Sequence, residues 1–341
     1  MVHSSDVQHA PVAELIPELD RLAIDAMGDW MVPGTALAIV QGGEVVLARA
    51  YGHRNIEANL PATTATQFLI GSITKSFTAS AVALLHNEGR LDWTKPVRDY
   101  IPEFRLHDAV ATVCDLLCHQ SGLPRHDWVW LPGDRTPAEL LGAMRYLEPS
   151  RDIRAAWQYN NLCYNVAGLL VERVSARRYE TFVRARLTDK LGMTVSFTLD
   201  DLEASADAAR PYAIHEDTRL PAIRLAVGTF AAGAMNTSAI DLANWMRLHL
   251  GKGEFGGERL LPATLIEALH APRAYYSEPA PAEFGQAHYA LGFRSQTYRG
   301  DRLVWHGGGL VGWGARMTLV PNFGIGVAVL TNRSPSEVPT N

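Results

Sequence analysis

Cysteine is scarce in this chain of 341 residues: Cys114, Cys118 and Cys163 are all it has. Three cysteines give no disulfide framework, so the fold must rest on its apolar core. Cys114 and Cys118 stand one helical turn apart, which suits packing better than pairing. No apolar run is long enough to span a bilayer. The opening MVHSSDVQHAPVAELIPELD has no signal-peptide apolar segment, so a cytoplasmic location is expected unless a leader has been removed. Basic residues are not in excess: 31 lysines and arginines against 36 acidic residues give a net charge of −5. With no basic block either, neither nucleic acid nor an anionic membrane is an expected partner. Metal chemistry has little support. There is no H-E-x-x-H, and His119 and His126 lack ligand spacing. Internal repeats and low-complexity linkers are also missing.

What the chain does have is core-forming material: 47% hydrophobic against 20% charged residues. That supports one or two structural domains. A helix is expected near residues 11–29. TALAIVQGGEVVLARAYG then reads as two strands around Gly42-Gly43, a hairpin signal. From about Ala81 to Ala280 helices and loops dominate. From His288 the pattern turns to strands: HYALGFRSQTY, DRLVW, GARMTLVP and IGVAVLTN. Strands at both ends with helices between imply one sheet built from both ends of the chain. We therefore expect a single catalytic domain over 1–341. Residues 1–80 and 281–341 would form an α/β part and 81–280 a mainly helical part, with the active site between them.

The chemistry begins at Ser72-Ile73-Thr74-Lys75, inside LIGSITKSFTASAVALLHNEG. Three residues is close to one helical turn, so both side chains project from one face. A lysine whose pKa falls on desolvation can take the proton of a serine hydroxyl and make it a nucleophile. Unpaired N–H groups at the helix start could meet an oxyanion near Ser72. Ile73, Phe77, Ala81 and Leu84 form an apolar stripe of helical period, and Gly89 reads as the helix stop. Alone the S-x-x-K spacing is common and usually means exposed helix surface.

Tyr159-Asn160-Asn161 opens a second apolar helix, LCYNVAGLLVERVS. A phenol between cations can have a depressed pKa and shuttle protons. An amide can orient a lysine and hold a carbonyl. The plainer reading is a packed tyrosine with an asparagine cap. His306-Gly307-Gly308-Gly309 follows DRLVW. It is either a flexible turn or an edge strand that brings a backbone N–H and a histidine to a pocket.

Together these motifs resemble the serine hydrolases of the β-lactamase and penicillin-binding-protein superfamily. The Y-x-N element is similar to its class C branch, which includes family VIII esterases and D-aminopeptidases. GRLDWTKPVRDYIPEF, DLLCHQSGLP, LTDKLGMTVSFT, AAGAMNTSAIDLANWM and HGGGLVGWGARMTLVPNFGIGVAVLTN also resemble family segments, in family order. The likeness runs from about Pro33 to Asn332. It implies a β-lactamase/transpeptidase-like α/β (α+β) fold, with an antiparallel sheet flanked by helices and a mostly helical insert. By the resemblance, Ser72 is the acylated nucleophile, and Lys75 and Tyr159 share base and acid work. Asn161 positions Lys75 and the substrate carbonyl, and the N–H groups of Ser72 and Gly309 form the oxyanion hole. His126, with Trp128 and Trp130, falls in a loop that lines the acyl pocket of related enzymes. No metal or organic cofactor is implied.

The departure is at the third motif. His306, Gly307 and Gly308 stand where β-lactamases carry K-T-G, so the lysine that attracts a substrate carboxylate is a histidine, mostly neutral at pH 7. Small esters, amides or D-amino-acid peptides are therefore the expected substrates, ahead of β-lactams. Transfer of the acyl group to an amine, as in a transferase or peptide cyclase, is the first alternative. A weak β-lactamase or a non-catalytic penicillin-binding-like scaffold is the second. The sequence does not set the oligomeric state. HGGG also resembles an oxyanion motif of α/β-hydrolases, but the G-x-S-x-G that those enzymes need is missing after it. TNRSPSEVPTN reads as the start of a helix capped by Ser334 or Ser336, and the family's C-terminal helix is expected to be truncated here.

Overall fold

The computed structural model describes residues 12–106, 110–131, 133, 135–223, 230–277 and 280–334. The helix start read near Ser334 to Pro339 falls almost wholly outside them.

The first helix, α1 (Val12–Asp29), places Val12, Ile16, Leu19, Ala23, Ala26 and Met27 on one side. Their alternating spacing of three and four residues makes one apolar stripe. Two strands follow, β1 (Gly34–Gln41) and β2 (Glu44–Asn55), joined at Gly42-Gly43 as a hairpin, then the short β3 (Leu60–Pro61). Six more strands come late in the chain: β4 (Ala274–Tyr276), β5 (Ala287–Tyr289), β6 (Arg294–Tyr298), β7 (Asp301–Leu310), β8 (Trp313–Val320) and β9 (Ile325–Thr331). They form one antiparallel sheet in the order β4-β5-β6-β7-β8-β9-β1-β2-β3. Early and late strands meet inside the sheet at β9 and β1, where Thr35 faces Thr331 and Ala38 faces Ala328.

β1 is buried along almost its whole length. Alternate side chains explain why. Leu37 and Ile39 pack under α1, while Ala36, Ala38 and Val40 join the main core on the other face. The helix α5 (Ala239–Leu250) packs on that second face, against β1 and β9. The sheet thus draws strands from residue 274 onward, and a helix from the middle of the chain lies on it. HYALGFRSQTY is two strands, because the chain turns at Gly292, whose φ is +79°.

At the centre lies α2 (Thr74–Asn87), which ends one residue before Glu88 and Gly89. The apolar stripe read from the sequence understates it, since every residue from Thr74 to Leu85 is buried. Its polar side chains are satisfied inside the core. Ser76 Oγ donates to Ile73 O and accepts from Trp245 Nε1, and Thr78 Oγ1 donates to Ala231 O. The Phe77 ring stacks on Trp245 with centroids 3.9 Å apart. Beside α2 runs α4 (Asn161–Ser175), and α3 (Val113–Leu117) packs against α4. All three cysteines are free thiols; Cys118 and Cys163 are buried. Among the described residues no helix is long and apolar enough to cross a membrane. No group of three potential metal ligands occurs among them either.

Candidate active site

Ser72 lies in a 3-10 turn, Gly71–Ile73, that leads into α2. Thr74 fixes the turn by donating its hydroxyl to Gly71 O at 2.7 Å. One turn on, Lys75 is fully buried, and its Nζ contacts three oxygens. They are Ser72 Oγ at 3.0 Å, Asn161 Oδ1 at 2.8 Å and Ala232 O at 2.8 Å. Burial is the main force holding the Lys75 pKa well below the ordinary lysine range. The guanidinium of Arg125 pushes the same way, Asp127 opposes it, and Arg294 adds to the lowering. As an amine, Nζ has two hydrogens for Asn161 and Ala232 and a lone pair for the Ser72 proton.

Tyr159 stands at the entrance to α4, with its hydroxyl near enough to the Ser72 side chain for that side chain to lower its pKa. Lys75 Nζ sits 4.8 Å from the centroid of its ring. The sequence suggested a phenol of depressed pKa; the structure corrects this. Burial raises the Tyr159 pKa to about 12, although Ser72, Arg294 and Arg125 all pull it down. Desolvation outweighs the cations, so this phenol keeps its proton. The cap of α4 is Asn160, whose Oδ1 accepts from Cys163 N at 3.1 Å. Asn161 is thereby left free to turn its amide to Lys75, with Nδ2 3.4 Å from Asp127 Oδ1.

His306 to Gly309 is not a turn. It is the second half of β7, paired to β8 from His306↔Met317 through Leu310↔Trp313. On the other side β6 stops pairing at Trp305, so residues 306–310 are a local edge facing the Ser72 turn. The approach is very close. A Cβ on Gly308 would lie 1.9 Å from Ile70 O, and one on Gly71 would lie 2.9 Å from Gly309 N. Only glycine permits this contact, which sets the Gly309 N–H beside Ser72. His306 is buried, with Nε2 2.8 Å from Tyr289 Oη and Nδ1 2.6 Å from Gly307 O. Burial chiefly, with help from Lys75 and Arg294, holds its pKa well below the ordinary histidine value. This histidine is neutral at pH 7.

Of the residues singled out from sequence, Ser72, Lys75, Tyr159, Asn161 and His306 to Gly309 converge on one spot. His126 does not. It takes a left-handed backbone, φ +49°, and points Nε2 toward Glu148 O at 3.3 Å. Its neighbours hold the place instead. Arg125 lies 5.1 Å from the Tyr159 ring centroid, and its Nε donates to Asp127 Oδ2 at 2.6 Å. Trp130 donates Nε1 to Asp127, while Trp128 is 85% exposed. Sequence reading passed over Arg125, Asp127, Tyr289 and Arg294. Arg125 and Asp127 sat in the flagged loop, but Tyr289 and Arg294 gave no local signal, since only sheet pairing carries them to the site.

A serine–lysine pair at the head of a buried helix, faced by a glycine-rich strand, defines the serine hydrolases of the β-lactamase-like fold. The chain belongs to the Beta-lactamase family, which it matches over residues 19–341. It is similar to the octameric penicillin-binding protein homologue from Pyrococcus abyssi, with 29% identity and a TM-score of 0.86 over 95% of this chain and 75% of that one. It shares its fold with a beta-lactamase from Sulfitobacter sp. EE-36, at 21% identity and a TM-score of 0.79, over 97% and 96% of the two chains. In sequence it is 28% identical to the unguisins hydrolase ungD' of Aspergillus campestris over 99% of this chain and 65% of that protein. Protein flp of Staphylococcus aureus is 25% identical over 94% of this chain and 64% of its own length. The chain thus spans just under two thirds of the length of these relatives.

Proposed function

We propose that this protein forms an acyl-enzyme on Ser72 and hydrolyses small esters, amides or D-amino-acid peptides. The observation that carries the reading is the 3.0 Å contact between Ser72 Oγ and a fully buried Lys75 Nζ. In the proposed sequence, Nζ accepts the Ser72 proton as Oγ bonds to the substrate carbonyl carbon. The carbonyl oxygen takes up negative charge between the N–H groups of Ser72 and Gly309. Tyr159 gives its proton to the leaving oxygen or nitrogen as that bond breaks, and the Lys75 ammonium restores it. Water then attacks the ester on Ser72, and the same groups return its protons. Neither a metal nor a cofactor enters these steps.

A neutral His306 offers no fixed charge to a substrate carboxylate, which supports neutral esters and amides ahead of penicillins. Water as acceptor, rather than an amine, is supported by the similar unguisins hydrolase, named for hydrolysis. The test is fluorophosphonate labelling with mass mapping, followed by a panel of p-nitrophenyl esters and D-amino-acid amides. The label is expected on Ser72, and Ser72→Ala is expected to fold and lose all turnover. Unchanged hydrolysis of p-nitrophenyl butyrate by that variant would end the proposal.

A further inference from the structure

His119 ends the turn after α3, and the sequence alone presents it as a structural residue at a helix end. Its surroundings give it a narrower task. Its backbone O accepts from Gln158 N at 2.8 Å. Its ring Nδ1 accepts from Asn160 N at 3.1 Å. Its ring lies on the Tyr159 ring, with centroids 4.3 Å apart. One fully buried residue thus holds the positions before and after Tyr159, Gln158 through its backbone O and Asn160 through its ring, and lays that ring on the phenol between them. His119 reaches this position through a left-handed backbone, φ +60°. That region is costly for most residues and least so for asparagine, aspartate and histidine. The grip also fixes the tautomer. Nδ1 accepts an N–H, so the proton is on Nε2. This buried Nε2–H finds no oxygen or nitrogen acceptor. It is enclosed by the rings of Trp157, Tyr164 and Tyr289, which tolerate an N–H against their faces.

A second set of bonds makes the grip firm. Arg154 forks onto Asp115 at 2.8 and 2.7 Å, and its own N–H donates to Gln120 O at 2.9 Å. Asn160 Nδ2 donates to Pro124 O at 2.6 Å, and Ser150 N to Gly122 O at 3.0 Å. The segment carrying Tyr159 is therefore laid along residues 115–124, and His119 is the one member that meets the phenol ring.

We infer that His119 is a positioning residue that holds the Tyr159 hydroxyl on the line between Ser72 and the leaving group. This rests on Tyr159 acting as proton donor to the leaving group. A misplacement near 1 Å of such a group costs about a hundredfold in rate. The loss should grow as the leaving group becomes a poorer one, because only poor leaving groups need the proton.

The test compares an alkyl ester with a p-nitrophenyl ester in two variants and in a Tyr159→Phe background. His119→Asn keeps a left-handed backbone and a side-chain acceptor but removes the ring. It is expected to fold and to lose about tenfold in kcat on the alkyl ester and far less on the p-nitrophenyl ester. His119→Ala is expected to lose about a hundredfold on the alkyl ester. If His119→Ala does not fold, the asparagine variant decides alone. With Tyr159→Phe already in place, His119→Asn should cost less than about twofold more, as residues acting through one group are non-additive. An equal loss on both esters, or an undiminished loss in the Tyr159→Phe background, would overturn the inference and leave the Tyr159 role standing. A Tyr159→Phe enzyme that matches the parent on both esters would instead remove the Tyr159 role, and this inference with it.

Discussion

In the proposed mechanism Lys75 and Tyr159 would divide the acid–base work by environment, because burial acts on the two in opposite senses. It favours the amine form of the lysine and keeps the phenol protonated. The expected pH profile follows from the signs. The kcat/KM should rise with pH through the lowered Lys75 pKa as the amine form appears. It should stay level until Tyr159 loses its proton near pH 12. A fall in kcat/KM between pH 7 and 9 would contradict the assignment. Lys75→Ala and Tyr159→Phe should each slow acylation by about two to four orders of magnitude. The double variant should be much less than multiplicatively worse, read by single-turnover kinetics. His306→Lys should lower KM about tenfold for an ester bearing a carboxylate, since a lysine ammonium is a compact permanent charge. It should leave a neutral ester unimproved. Efficient cephalosporin hydrolysis by the parent, equal to its ester hydrolysis, would show that the neutral histidine does not set the preference. At this scale the sequence was most legible. Ser72 and Lys75 are three residues apart, and a helix turn alone puts them together. Tyr289 and Arg294 were illegible for the converse reason: they are 17 and 12 positions from His306, and only the strand register brings them near it.

The glycine-rich strand shows where sequence patterns lose their meaning for an element. Three glycines in a row left a flexible turn and an edge strand both open, and here they continue β7 as an edge against the Ser72 turn. What they signalled was proximity of another backbone, through the missing Cβ. Gly308→Ala is therefore expected to force β7 away from Ile70 O and draw the Gly309 N–H out of reach. Loss of an oxyanion donor costs about a hundred to a thousandfold in kcat. Gly307→Ala, whose added Cβ would meet nothing closer than 3.7 Å, should be nearly silent. Equal kinetics in the two variants would argue against a β7 donor. The stripe read in α2, Ile73, Phe77, Ala81 and Leu84, is buried as expected but understates the helix. Thr74 and Thr78 lie on one side and Ser76 and Ser80 on the other, but each hydroxyl donates to a nearby carbonyl, so the helix is buried all round.

Among the described residues, four buried histidines share one electrostatic situation. His119, His249, His270 and His306 are all held below the ordinary value, chiefly by burial, and His249 falls to about 3. His249 Nδ1 and His270 Nε2 face each other at 3.0 Å, a pairing that nothing in the sequence announces. Below pH 6.5 the unfolded chain binds protons that the folded chain refuses, so stability falls as pH drops. Each such histidine contributes up to about 1.4 kcal/mol per pH unit. Urea midpoints should be flat above pH 7 and fall steeply between pH 6.5 and 5. Replacing His249 and His270 together by asparagine and glutamine should flatten that fall; an unchanged slope would assign it elsewhere. The whole architecture was foreseen in outline, because strands cluster at both ends of the sequence, but not the placement of α5 on the sheet. The junction of those ends has a consequence in time as well as space. β1 pairs with β2 at once but finds its second partner only in β9, whose first residue lies 284 positions beyond β1's last. At a synthesis rate of about 5–20 residues per second, the first hairpin waits roughly a quarter of a minute to a minute for its neighbour. During that wait an apolar strand edge is open to other nascent chains. A ribosome-bound chain ending before residue 325 should be a good client for chaperones, and release of the finished chain should be followed at once by a sharp gain in protease resistance.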